Sequence, residues 1–451
     1  MNDVAAVIMA AGKGTRMKSI TPKVLHPIMG KPMLAYVLDA LDGMQVGDRI
    51  LLVGHGSEAV AAAVGERART VVQEPQNGTG HALQVAYPHL AEGARAVLVV
   101  SGDQPLITEE MLRRLVERHQ TSGAAVTMLT ALMPGETDLG RVIRGADGTV
   151  ARIVEAREAS VEERAVREVN LGTYCFDRGY LQEYLPRIGQ RRNVQNELYI
   201  TDLIWMAVEA GRAVQAVDSG DPDASIGVNS RKELAEVTRV LRERVNEKWM
   251  VEGVTLVDPA STFIHPDVVI GRDTVILPFT TLEGKTRLGD GCTIGPSARI
   301  VDSRLGDRVT VQNSVLLEVL AADDCSIGPF AYLRPGTDLG RKVKVGDFVE
   351  IKKSRLDDGA KVPHLSYVGD AHIGQRVNIG AGTITCNYDG KNKHHTEIED
   401  DVHIGSNTNL VAPVRVGKGA RTGAGAVVTR DVPAGATVVG VPARALRESP
   451  A

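Results

Sequence analysis

The sequence is poor in aromatic residues: Phe, Trp and Tyr together make up 4% of its 451 residues. Its core therefore cannot rest on packed rings and must be built from aliphatic side chains, which fits a hydrophobic content of 43%. Cysteine is also scarce. Cys175, Cys292, Cys325 and Cys386 lie far apart with no Cys-x-x-Cys pair, so neither a zinc site nor a disulfide framework is indicated. No uninterrupted apolar run approaches the roughly 18 residues of a membrane-spanning helix. The opening MNDVAAVIMA lacks the charged segment, apolar stretch and cleavage site of a leader peptide. A net charge of −4 gives no push toward nucleic acid or an anionic membrane surface. These absences point to a cytoplasmic protein of two or three domains that acts on small molecules, with phosphate recognition left to a few placed cations.

Residues 1–228 read as an α/β domain. VAAVIMA (4–10), RILLVGH (49–55) and RAVLVVSGD (95–103) have the continuous apolar character of buried parallel strands. MLAYVLDALDG (33–43), GHALQVAYPHL (80–90) and TEEMLRRLVERHQ (108–120) read as helices, the last with Thr108 as N-cap. Strands and helices alternating at this length predict a doubly wound sheet. Residues 229–250 follow as a linker helix, with Leu234, Val237, Leu241, Val245 and Trp249 forming one apolar stripe.

Beyond Gly253 the period changes. Ile264, Ile270, Ile276, Leu282, Leu288, Ile294 and Ile300 stand six apart. The count resumes at Ile327, Leu333, Leu339, Val345 and Ile351, and again from Ile398 through Ile404, Leu410 and Val416 to Thr422 and Val428. A short fixed period of this kind means a solenoid. Three hexads close one triangular coil whose aliphatic residues stack inward, each coil stabilised by its neighbours. The solenoid spans 251–440, with 441–451 as a tail. LEVLAADDC (317–325) and CNYDGKNKHH (386–395) interrupt the count and read as inserted loops. The period resembles the left-handed parallel β-helix of the hexapeptide-repeat acyltransferases, and the left hand is carried over from them.

Two N-terminal motifs carry chemistry. In MAAGKGTRM (9–17), Gly12 and Gly14 let backbone N–H groups approach an anion. Lys13, Arg16 and the Pro22-Lys23 pair add cations suited to a nucleoside triphosphate, while Met17 replaces the third glycine of a dinucleotide fingerprint. In SGDQP (101–105), Asp103 ends an apolar strand, where open α/β sheets bind ligands and where a carboxylate can hold Mg²⁺. The pattern Ala-Ala-Gly-x-Gly-Thr-Arg-Met with a downstream Pro-Lys resembles the signature of the sugar-1-phosphate nucleotidyltransferases. Over both halves the chain resembles one family among them, the bifunctional N-acetylglucosamine-1-phosphate uridyltransferase/glucosamine-1-phosphate N-acetyltransferases.

That resemblance implies roles for particular residues. Met9, Ala10, Ala11 and Gly12 would line the uracil and ribose site, and Gln73, Gly78 and Thr79 would read the uracil. Arg16 and Lys23 would stabilise the transferring phosphoryl group. Ser101 and Gly102 would lie beside the nucleotide, and Asp103 with Asn229 would hold Mg²⁺. Gly140, Glu155 and Asn170 would hold the sugar. The implied reaction is in-line attack of the sugar phosphate on the α-phosphate of UTP.

In the second half, VPHLSYVGD (362–370) places a histidine and a tyrosine in an aliphatic, glycine-dotted repeat. His364 can accept a proton from an amine near neutral pH, and Arg334 and Lys352 can bind a sugar phosphate. The resemblance makes His364 the general base and adds Tyr367 and Asn378 to the sugar phosphate site. It assigns Ala381, Asn387, Tyr388, Ser406 and Ala424 to acetyl-CoA. The family often has an arginine where this chain has Gly440, with Arg444 and Arg447 nearby as substitutes. In family members the cleft lies between β-helices of a homotrimer. An alternative keeps only uridylyl transfer, with the β-helix as an oligomerisation and regulatory module; His364, Lys352, Arg334 and the NYDG loop argue against it. Cys386 as an acyl carrier is disfavoured because no histidine is fixed beside it. His394-His395 as a metal pair is disfavoured because neighbours in an extended chain point opposite ways.

Overall fold

The computed structural model describes residues 3–189 and 197–445. It divides into two compact units, Met1–Leu241 and Arg242–Ala451. The division falls inside one long helix, Arg231–Val251, on which Val237, Val240, Leu241 and Trp249 are buried.

The first unit is built on a sheet whose main path runs Val214–Asp218, Val126–Leu132, Glu168–Asp177, Ala96–Ser101, Val4–Ala10, Asp48–Val53 and Arg69–Val72. The three strands read from the sequence are parallel neighbours in its centre. The sheet is mixed, however: Glu168–Asp177 runs antiparallel to both of its neighbours. Helix Met33–Gly43 buries Met33, Leu34, Val37, Leu38 and Leu41 on one face. Helix Glu109–Ser122 begins where Thr108 Oγ1 accepts a hydrogen bond from the Met111 N–H at 3.3 Å. The expected helix over 80–90 is shorter, Thr79–Ala86, and passes into a 3₁₀ turn at Tyr87–His89. Pro88 there has no N–H to continue the α-helical ladder. Met9 and Ser101 are register partners where the two central strands end, and that edge carries the first site.

In the second unit the strands stack into three sheets of 12, 10 and 9 strands. Ile264 pairs beside Leu282, and Leu282 beside Ile300, so each coil takes three hexads. Ile264, Leu282, Ile300, Leu316, Leu333, Ile351 and Val368 form one inward column, each at most 1% exposed. The pattern continues through the stretches where the six-residue count fails. LEVLAADDC is therefore not an insertion: Val315–Leu317, Leu320–Ala321 and Ser326–Ile327 are ordinary strands of the three sheets, with Leu316, Ala321 and Ile327 buried. The coil closes there with fewer residues, not more. CNYDGKNKHH is a true excursion between strands Ile384–Cys386 and Thr396–Ile398. It is pinned by Asp389, which accepts from the Lys391 and Asn392 N–H groups at 2.8 and 2.7 Å and bonds the His394 ring at 2.6 Å.

Candidate active sites

Two cavities, of about 450 and 620 Å³, open at the end of the central strands of the first unit and share Met9, Thr79, Ser101 and Tyr199. The smaller is also lined by Ala10, Ala11, Gly12, Lys23, Gln73, Gly78 and Asp103. Gln73 is buried and donates from Nε2 to the Gly78 carbonyl at 3.0 Å. Gly102 donates its N–H to the Met9 carbonyl at 2.9 Å, closing the turn between the strand ends.

Lys23, Asp103 and Asn229 meet beside this cavity. Lys23 Nζ is ion-paired with Asp103 Oδ2 and lies 3.1 Å from Asn229 Oδ1. Asp103 Oδ1 accepts from Ser101 Oγ at 2.6 Å. Gly14 makes the approach possible: it has φ +60°, and a Cβ there would lie 2.9 Å from Lys23 Cβ. Two oxygens from distant parts of the chain thus converge on one ammonium. The donor set fits Mg²⁺, which takes oxygen ligands and usually completes its shell with water and substrate phosphate. Glu233 steadies Asn229 by accepting the N–H groups of Asn229 and Ser230 at 2.8 and 2.6 Å. Burial opposes the Glu233 charge, but these bonds hold its carboxyl below the ordinary value. Arg16 is exposed on the turn Thr15–Met17 and lines neither cavity.

Of the residues read as sugar ligands, Glu155 and Asn170 line the larger cavity, and Gly140 lies beside them without lining it. A Cβ on Gly140 would come 3.7 Å from the Glu155 carboxylate, and the Gly140 carbonyl accepts the Asn170 N–H at 2.9 Å. Burial pushes the Glu155 carboxyl up, and Glu158 adds to it. Asn170 is held by its own surroundings: Nδ2 donates to Tyr174 Oη at 2.7 Å and Oδ1 accepts from the Gly172 N–H at 3.0 Å. Glu197, Tyr199 and Gln104 also line these cavities, and sequence reasoning missed them. Gly80 N–H to Leu198 O, 2.7 Å, and Leu198 N–H to Asn77 O, 2.9 Å, dock the 197–200 segment on the start of the Thr79 helix. No motif marks that segment.

In the second unit, His364 ends strand Lys361–His364 at a corner of the coil. Its Nδ1 lies 2.5 Å from Asp347 Oδ1, the register neighbour one coil away. That bond keeps the Asp347 carboxyl below its ordinary value. Nδ1–H directed at the carboxylate leaves the Nε2 lone pair for proton transfer. Asp347 was not read from the sequence, although counting one coil back from His364 finds it. Gly382 N–H to His364 O, Asn407 N–H to Ala381 O and Gly425 N–H to Ser406 O carry the same corner through the following coils. Ala381, Ser406 and Ala424 therefore stand in file with His364.

Lys352 and Tyr367 lie on the adjoining 10-stranded sheet, and Arg334 directly follows its strand Tyr332–Leu333. Arg334 Nη1 donates to Glu350 Oε1 at 2.8 Å. Lys393 from the excursion depresses the Lys352 pKa, and Arg334 adds to it, so three cations crowd one outward surface. Asn387 Nδ2 donates to Asp370 Oδ2 at 2.6 Å and reaches Tyr367 Oη at 3.4 Å, while Tyr388 is exposed. Asn378 stands apart: it lies on the 12-stranded sheet beside Lys361. A single chain does not bring it to Arg334, Lys352 and Tyr367. Gly440 ends strand Thr437–Val439, Arg444 lies on the strand antiparallel to it, and Arg447 lies outside the described residues. Burial raises the Cys386 thiol pKa. His394 and His395 pair with different carboxylates, Asp389 and Glu397.

Residues 6–138 match the MobA-like NTP transferase domain, and residues 267–302 and 395–430 match the bacterial transferase hexapeptide repeat. With the fold, these matches define the class: an α/β nucleotidyltransferase domain followed by a left-handed parallel β-helix of hexapeptide-repeat transferases. The chain is 53% identical over 439 residues to the bifunctional protein GlmU of Heliobacterium modesticaldum, covering 97% of this chain and 96% of that one. It is 51% identical to that of an Exiguobacterium species and 48% identical to that of Carboxydothermus hydrogenoformans, each over 95% of both chains. The chain belongs to the GlmU family of bifunctional proteins.

Proposed function

We propose that the chain makes UDP-N-acetylglucosamine in two steps, acetyl transfer in the β-helix domain and uridylyl transfer in the α/β domain. In the first, the nitrogen of glucosamine-1-phosphate attacks the thioester carbon of acetyl-CoA. His364 Nε2 takes the amine proton and the CoA thiolate leaves. Arg334, Lys352 and Tyr367 bind the sugar phosphate, and the file Ala381, Ser406, Ala424, with Asn387 and Tyr388, binds acetyl-CoA. In the second, a phosphate oxygen of N-acetylglucosamine-1-phosphate attacks the α-phosphorus of UTP. The bond to the β-phosphate breaks and pyrophosphate leaves. Such transfers rest on positioning and electrostatics. Lys23 supplies positive charge beside the phosphates, the glycine turn and Gln73 hold the nucleotide, and Glu155 with Asn170 orients the sugar. Mg²⁺ held by Asp103 and Asn229 would neutralise phosphate charge.

The observation that carries the bifunctional reading is the His364–Asp347 pair, in which Nε2 makes no hydrogen bond among the described residues. An oligomerisation module has no use for it. Asn378 lies on a different sheet from Tyr367. Beside the same corner Phe348 and Leu365 are 58% and 60% exposed, and the Phe348 ring stacks on Phe330 at 5.4 Å. Both features support a homotrimer in which a neighbouring copy covers the ridge and completes the site with its own Asn378. Among the described residues no helix is long and apolar enough to cross a membrane, which is compatible with work in the cytoplasm on soluble substrates.

The test is incubation with glucosamine-1-phosphate, acetyl-CoA, UTP and Mg²⁺. The expected product is UDP-N-acetylglucosamine with release of free CoA. Product formed only from ready-made N-acetylglucosamine-1-phosphate would reduce the chain to a uridylyltransferase.

A further inference from the structure

Gln104, the residue after Asp103, is 8% exposed and lines the 620 Å³ cavity with Glu155 and Asn170. Its Nε2 lies 2.6 Å from the Leu171 carbonyl oxygen. A carbonyl can only accept, so the orientation of the amide is settled by chemistry. That leaves Oε1, a pure acceptor, buried with no hydrogen-bond partner among the described residues. Buried acceptors are normally satisfied, and leaving one unpaired is costly. The nearby polar groups of Asn170 are taken by Tyr174 and Gly172. Asp138, Glu155 and Glu158 add carboxylates to this lining, and Arg157 adds a donor. Acceptors outnumber donors among the charged groups of the lining, and the unpaired Oε1 calls for a donor from the occupant.

We infer that Gln104 is a specificity-determining residue of the uridylyl site, its Oε1 accepting a hydrogen bond from an N–H or O–H of the sugar of the incoming sugar-1-phosphate. The inference rests on the uridylyl-transfer reading above. Ser101–Gln104 then divides its work along one turn: Asp103 faces Lys23 and the nucleotide cavity, and Gln104 faces the sugar cavity.

Three variants separate this role from the structural bond to Leu171. Gln104→Met removes donor and acceptor while keeping length. Gln104→Lys keeps a donor for the Leu171 carbonyl and removes the acceptor. Gln104→Glu keeps an acceptor. Steady-state uridylyl transfer is measured with UTP and N-acetylglucosamine-1-phosphate varied in turn, and thermal unfolding checks each preparation. The Met and Lys variants are expected to raise KM for the sugar phosphate about five- to tenfold, the scale of one neutral hydrogen bond, with KM for UTP unchanged. Protonated, the Glu variant can donate to the Leu171 carbonyl and still accept from the sugar, so its KM should lie below those of the Met and Lys variants. A Lys variant with wild-type KM, or a rise in KM for UTP alone, overturns the inference. If the wild type itself forms no UDP-sugar, the functional reading fails instead.

Discussion

Replacing Asp347 by Asn tests the proposed acetyl-transfer chemistry at its most exposed joint. The change keeps size and removes charge. Asp347 Oδ1 sits 2.5 Å from His364 Nδ1 and, as a carboxylate, can only accept, so the ring proton stays on Nδ1 and the lone pair on Nε2. A carboxamide can turn its NH₂ toward the ring and draw the lone pair to Nδ1, leaving the proton on the wrong nitrogen. Loss of a partner that fixes an imidazole costs about 10–100-fold at metal-bound histidines and about 10⁴-fold in a buried catalytic triad. Here the His364 side chain is 56% exposed and that of Asp347 36%, so solvent weakens the pairing. The expectation is therefore the low end, about tenfold. Removing the base altogether, in His364→Ala, should cost about 10²–10⁴-fold.

The assay is steady-state acetyl transfer followed by free CoA thiol, with uridylyl transfer on the same preparation as the internal reference. Asp347→Asn should fall between wild type and His364→Ala in kcat, with uridylyl transfer unchanged. A rate within twofold of wild type would show that Asp347 does not set the tautomer. A rate as low as that of His364→Ala, with intact uridylyl transfer, would mean that Asp347 is itself a catalytic group.

The remaining expectations concern other parts of the chain. Asp103→Ala should abolish uridylyl transfer and leave acetyl transfer intact; equal loss of both would mark a folding defect. The His372 ring nitrogens each lie 2.8 Å from a carboxylate, Asp357 and Glu397. Burial lowers its pKa, but the two carboxylates prevail and raise it above the usual 6.5. A raised native pKa gives stability that is complete below the unfolded value and disappears as pH rises through the native one. The Tm gap between wild type and His372→Gln should thus be widest in mild acid and close toward alkaline pH; a gap constant with pH contradicts the pairing. Ile351 is fully buried in the inward column, so Ile351→Ala should cost about 2–5 kcal/mol in denaturant unfolding, and a loss under 1 kcal/mol would deny that the column is close-packed.

The architecture was readable in the sequence where one physical signal dominates. Ile264, Leu282 and Ile300 repeat because each must point inward, and the structure buries all three. The same logic misled at LEVLAADDC. Corners can lose a residue without disturbing the inward position, so a lapse in the count looks like an insertion. In the first unit, Val4–Ala10 and Ala96–Ser101 declare themselves as strands buried on both faces, but strand direction leaves no mark on hydrophobicity. The antiparallel course of Glu168–Asp177 could not be read for that reason. Nor could Tyr199 and Glu197, which reach the cavities through backbone bonds at Leu198.

The C-terminal site also follows from solenoid geometry. Stacked coils repeat every position at the strand spacing of about 4.8 Å, so one corner becomes a straight file of side chains. On the His364 side of that corner the turn residues are bulky and exposed, Phe330, Phe348 and Leu365. In the next coils the equivalent left-handed positions are Gly382, Asn407 and Gly425, flanked by Ala381, Ser406 and Ala424. The change from large to small occurs at His364. Bulky residues fill the space on one side, and on the other the file offers an open track along the coils. Three coil steps span about 14 Å, a run long enough to hold an extended ligand against one edge. Under the proposed function, a thioester presented from that track would reach His364 at its end, with the cations of Arg334 and Lys352 nearby to receive a phosphate. The histidine therefore sits where the turn residues change from bulky and exposed to small, the place the proposed function needs for an acceptor site that meets an extended donor.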